Sequence, residues 1–380
     1  MAVTVAVLPL ACQKQAVDQR ASTPLAAPIP DSTFGRLIAD LSGPEAYFDT
    51  DNLISNETSY LHVVGALKRL DVSGGVYIGV GPGQNFSYIS AIRPRFAFVL
   101  DIRRDNLLQH LMFKALFEAA EGRVEYLSLL TGRPLPERDP DWEAADIDQI
   151  LGYVDRTAPT TEAARAALDT VASLVRGFGV ALGDQDVATI RRFHRVFIRA
   201  GLDLQFQTHG RPPLWYYPTL RELLLETDLD GEPANYLASE ANFRFLKRMQ
   251  EGNLIIPVVG DFAGDHALPA IGQYIGQREE EVSAFYTSNV EFYLMGAGSF
   301  DRFAASVAEL PRTYNAVMIR SVFRGPFGNR HPQRVAGYYS TQLLQPIGSF
   351  VEAIESGGFD GYSDLVTRGS INLRALRADP

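Results

Sequence analysis

Three glycines in five residues, Gly79, Gly81 and Gly83, follow the apolar run Val76-Tyr77-Ile78. About twenty residues further on, a second apolar run, Phe96-Ala97-Phe98-Val99-Leu100, ends on Asp101. Glycines allow a strand to turn sharply into a helix and let backbone come close to a ligand. A carboxylate at the tip of the next strand can accept bonds from a pair of ribose hydroxyls. This order is that of a nucleotide-binding βαβ unit. The dinucleotide fingerprint would place its third glycine where Gln84 stands, so the spacing departs from an NAD-type turn. Glycines that only make a tight βα turn would look the same.

The elements that must hold these residues follow from periodicity. Apolar residues at Leu53, Ile54, Tyr60, Leu61, Val64, Leu67 and Leu70 predict a helix over 51–70, leading into a strand at 75–80. Helical spacing returns over 105–119, and helical patterns with Pro-rich breaks continue at 162–176, 184–200 and 220–226. Strand signals resume at 253–259, 282–287, 316–322 and 338–344. Alternating strands and helices predict an α/β, doubly wound, mostly parallel sheet, with a large helical insertion at about 120–235 between strands two and three. Ligands of such sheets bind at the carboxyl ends of the strands, where Asp101, Asp261, Asn289 and the loop after Val322 should converge.

The segments 53–60, 77–85 and 100–108 together resemble the class I S-adenosylmethionine (SAM)-dependent methyltransferase-like Rossmann fold. They also resemble bacterial proteins of this fold, some of them lipoproteins. The resemblance implies SAM as cofactor and a small molecule as substrate. Gly79, Gly81 and Gly83 would pass its methionine part, Asp101 would hold the ribose, and Asp261 would face the adenine amine with Phe262 stacked beside it. Tyr77 stands where this pattern carries an acid, which removes an anchor for the methionine amino group.

Methyl transfer needs an aligned nucleophile and sometimes a base. Glu57 is a candidate base or amine holder, and equally fits an exposed helix acid; Asn56 and Tyr60 would line the substrate side. Asn289 and Glu291 follow the fourth strand, where the transferred methyl is often faced. Arg324, in a loop rich in arginine and glycine, could clamp a carboxylate or phosphate, or sit in solvent. The six histidines have no metal spacing, and there is no G-x-S-x-G elbow.

Residues 1–31 form a separate segment in this reading, with 32–380 as the domain. The apolar run Ala2 to Ala11 ends at Cys12, the only cysteine of the chain, and a tract rich in Ala, Pro, Gln and Ser follows. Leu8-Pro9-Leu10-Ala11-Cys12 resembles a lipoprotein cleavage box, although no Lys or Arg precedes it. Lipidation of Cys12 would place the protein at the cell envelope; a cytoplasmic protein with a plain N-terminal tail is the alternative. The net charge of -10, from 35 basic and 45 acidic residues, argues against a nucleic-acid partner. No apolar run approaches the roughly 20 residues a membrane-spanning helix needs.

Two functions therefore stand: a SAM-dependent methyltransferase for a small molecule, or an exported, non-catalytic lipoprotein using a degenerate Rossmann frame as a binding module.

Overall fold

A computed structural model describes residues 24–137, 141–323 and 331–377. Its centre is one six-stranded sheet built from β1 (Val76–Gly79), β2 (Phe96–Asp101), β3 (Ile255–Val259), β4 (Val282–Ser288), β5 (Arg312–Phe323) and β6 (Ser340–Pro346). The order is β3-β2-β1-β4-β5-β6, with every pairing parallel except β5 with the antiparallel β6. Chain direction across the sheet reverses between β1 and β4, which makes their carboxyl ends the switch point. The fold is thus α/β and Rossmann-like. The strands from both halves of the chain share this one sheet, as the strand pattern predicts.

Strands β1, β2 and β3 are buried along their whole length, so they read as continuous apolar runs rather than alternating ones. Pro257 sits in β3, an edge strand, where its missing N–H leaves no inner ladder bond broken. The register puts Ile78, Phe98 and Phe285 on one face and Tyr77 with Tyr286 on the other. On the phenylalanine face, Phe98 meets Tyr274 and Phe285 meets Phe303, each edge-on at about 6 Å. The tyrosine face receives Tyr88, whose ring lies 4.9 Å from that of Tyr286. Helices therefore cover both sides.

Four helices matter for the site. The first, α1 (Asp31–Leu41), precedes the sheet; α2 (Asn85–Ile92) follows the glycine turn; α3 (Arg104–Ala119) follows β2; and α4 (Leu220–Leu225) lies late in the chain between β2 and β3. That whole interval, 102–254, contains no β-strand among its described residues.

The helix expected over 51–70 is confined to its second half. A short 3-10 turn at Tyr60–Val63 leads into a helix at Val64–Arg69. Before it, residues 42–59 form an extended strap. Strap carbonyls that a helix would use internally are bonded elsewhere: Thr50 and Asp51 accept from Arg103, and Leu53 accepts from Gln109. Asn52 also takes a left-handed backbone, φ 50°, which interrupts any helix there.

The strap crosses the carboxyl ends of the sheet in order. Gly43 donates to Val259 O at the end of β3, and Ala46 to Ile102 O beyond β2. Glu57 reaches Ser288 at the end of β4, and Ser59 meets Ser340 at the start of β6.

Candidate functional site

The turn after β1 closes on itself. Asn85, at the start of α2, donates its amide to the carbonyls of Val80, Gly81 and Pro82 and accepts the Tyr77 hydroxyl at 2.8 Å. A Cβ on Gly79 would lie 2.0 Å from the Asn85 side-chain oxygen and 2.7 Å from the Tyr77 ring. Gly79 is therefore glycine because the chain's own side chains occupy that space. Gly81 has φ 80°, a conformation only glycine adopts freely. Gly83 has ordinary clearance on its open side, 3.5 Å to Phe86. Tyr77, fully buried, stands where the expected pattern has an acid, and burial holds its phenol well above the usual range.

Asp101 lies at the tip of β2 as expected, but it is 5% exposed and both its oxygens are engaged. Oδ1 accepts from the Arg103 N–H and Nε, each at 3.0 Å, and Oδ2 accepts from Arg103 Nη2 at 2.9 Å. The same guanidinium donates through Nη1 to the strap carbonyls of Thr50 and Asp51. Next to it, His110 bonds the Gly81 carbonyl at 2.9 Å, and burial lowers its pKa to about 4, so it is a neutral ring. His110 Nδ1 and Gln84 Oε1 are buried at this turn without partners, and both amide atoms of Asn106, on α3, are buried without partners as well.

Glu57 is 1% exposed, not an exposed helix acid. Its Oε1 accepts from the Tyr286 hydroxyl at 2.7 Å and from Ser288 Oγ, and its Oε2 from Gln342 Nε2 at 2.9 Å. Tyr286 in turn accepts from Gln84, which ties Glu57 to the glycine turn. Burial raises the Glu57 pKa against the pull of these donors. Ser288 holds a left-handed φ of 54°, a strained conformation for a residue with a side chain.

The remaining candidates are dispersed. Asn56 is half-buried on the strap beside Glu57. Asn289 is half-buried next to Ser288. Glu291 is drawn to the phenylalanine face, where it accepts from Arg320 Nε at 2.8 Å, beneath the ring of Phe350. The structure thus separates Glu291 from Glu57 by the thickness of the sheet. Asp261 folds back on its own loop, accepting from the Ala263 N–H. Phe262 is a core residue stacked on Phe303 at 5.7 Å and leaning on Phe285, not a free wall for an adenine. Tyr60 is buried, donating to Leu223 O and accepting from Asn235. It lines an apolar cavity of about 40 Å³ together with Gly83 and Gln84; Asp101 is not among that cavity's lining residues. Arg324 and Cys12 fall outside the described residues.

A larger cavity, about 600 Å³, opens where β5 ends and β6 begins. Its walls carry Trp215, Tyr216, Phe323, Tyr338 and Tyr339, together with Glu226 of the segment following α4. Tyr216 stacks on Tyr339 with centroids 3.8 Å apart. The Tyr338 hydroxyl donates to Glu226 Oε1 at 2.9 Å, and burial together with that carboxylate pushes its pKa up to about 12. Sequence reasoning missed this cavity. Its trace is the pair of aromatic runs Trp215-Tyr216-Tyr217 and Tyr338-Tyr339, which lie more than a hundred positions apart. Arg103, Gln342 and Ser288 were missed as partners for the same reason of distance or direction.

The frame is therefore that of a Rossmann-like α/β protein whose switch-point edge is covered by its own strap. The chain belongs to the family described as a domain of unknown function (DUF7790), whose profile matches residues 53–136 and 217–366. The unmatched interval, 137–216, falls inside the strand-free stretch between β2 and β3. A comparison with curated proteins finds no match. Among the described residues, no helix is long and apolar enough to cross a membrane, and no cluster of three metal-ligating side chains occurs.

Proposed function

We propose that this protein is a small-molecule-binding module on a degenerate methyltransferase-like Rossmann frame, and that it does not use SAM. The observation that carries this reading is the Asp101–Arg103 pair: the carboxylate that would hold a ribose already accepts three bonds from one buried arginine. The closed Tyr77–Asn85 turn and the core position of Phe262 support it. Ligand binding then belongs to the aromatic cavity at the β5–β6 edge, whose size suits a metabolite. Residues 137–216, skipped by the family profile, are the part of the helical stretch best read as an insertion.

Calorimetry with SAM and S-adenosylhomocysteine tests the reading. No heat at millimolar ligand is expected; saturable binding that Asp101→Ala abolishes would overturn it. One observation favours the methyltransferase reading instead, namely the unpartnered polar atoms of Gln84 and His110 at the glycine turn. Were the strap to open, these groups and Asp101 would face a ligand. SAM binding gained by Arg103→Ala would favour that second reading.

A lipid anchor on Cys12 at the cell envelope is part of the same proposal, motivated by the apolar run that ends at Ala11. Labelling with a palmitate analogue, compared between wild type and Cys12→Ala, checks it.

A further inference from the structure

The geometry points to an organic cation, an ammonium or N-methylated group, as the ligand of the 600 Å³ cavity. This rests on the reading of that cavity as the binding site. Its walls combine aromatic rings with two carboxylates: Glu222, one of whose oxygens caps its own helix at Thr219, and Glu226, just past the end of that helix. Aromatic faces attract cations through their quadrupole, and a carboxylate in the wall of such a box adds direct attraction.

Other ligand classes fit less well. A carbohydrate needs planar amides or several free carboxyl edges for its hydroxyl pairs, and no Asn or Gln occurs among the described lining residues. An anion would meet a single arginine, Arg334, among the described lining residues, against the two glutamates. The lining His331 does not add charge: its Nε2 bonds the Val366 carbonyl, its Nδ1 accepts the Gln333 N–H, and burial lowers its pKa. Tyr338, held as a neutral phenol, fixes one Glu226 oxygen by donating to it. The Thr58 hydroxyl, buried in the same wall without a partner, offers an acceptor for an ammonium N–H.

Trp215 is 91% exposed and serves as the reporter. Only one other tryptophan, Trp142, is present, so Trp142→Phe isolates the signal. The probes are choline, its neutral isostere 3,3-dimethylbutan-1-ol, and indole. Choline should quench Trp215 saturably and the neutral alcohol should bind about tenfold more weakly or less. Glu226→Gln should bring choline down to the level of the alcohol, and Trp215→Ala, at an exposed position, should weaken choline by calorimetry without changing the melting temperature. Equal binding of choline and the alcohol overturns the cation assignment and leaves the cavity as a site. Indole binding with no choline binding does the same. Silence from all three probes overturns both the assignment and the reading on which it rests.

Discussion

Arg103 decides whether the strand-tip acid is available. Removing one member of a buried ion pair leaves the other charged and unsolvated, which costs about 3–5 kcal/mol. Arg103→Ala should therefore lower unfolding free energy by about that amount in urea titrations, and adding Asp101→Asn should recover part of it. Glu57 makes a prediction with the opposite charge logic. Burial raises its folded pKa above that of the unfolded chain. Between those two values the folded protein keeps a proton that the unfolded chain has released, so stability is lost as pH rises through that window. Urea midpoints of wild type relative to Glu57→Gln should therefore fall as pH rises above the ordinary carboxylate range. At this scale the glycine turn and the position of Asp101 were legible, because both are local to one βα unit. The engagement of Asp101 was not: Arg103 lies two residues away, yet spacing alone does not say that its side chain turns back onto the acid. The burial of Glu57 was hidden as well, because its partners Tyr286 and Gln342 are 229 and 285 positions distant.

Among elements, the glycine turn separates two reasons for a glycine. Gly79→Ala would drive a methyl into the Asn85 amide and Tyr77, and should cost about 1–3 kcal/mol through forced repacking. Gly83→Ala meets only ordinary contacts and should shift the melting temperature little. A turn built chiefly to receive a ligand would not rank the two in this way. The strands were legible because sheets covered on both faces demand unbroken apolar runs, and all six lie where the pattern placed them, to within a few residues at the ends. The end of the strap was misread as helix since Leu53 and Ile54 are in helical spacing with Tyr60, which opens the 3-10 turn. They instead line one small cavity with Phe113, Phe197, Leu220 and Leu224, a contact that periodicity cannot distinguish from a helix face.

For the whole molecule, the strap has a consequence for the order in which the protein is made. Its residues emerge before any strand of the sheet, yet Ser59 bonds Ser340, 281 positions later. Closing so long a loop is entropically slow, and a growing chain cannot close it until β6 has left the ribosome. The Glu57–Ser59 end of the strap thus completes its contacts only at the end of synthesis, whereas residues 43–53 find their partners in β2, β3 and the helix after β2. In pulse-labelled hydrogen exchange during refolding, amides of β1 and β2 should gain protection first, and those of Glu57 and Ser59 last. Simultaneous protection would mean that the strap docks early on β1–β3 alone. A chain stalled before residue 340 should accordingly leave Glu57 without Gln342 and Ser59 without Ser340, exposing a polar cluster that the finished protein keeps buried.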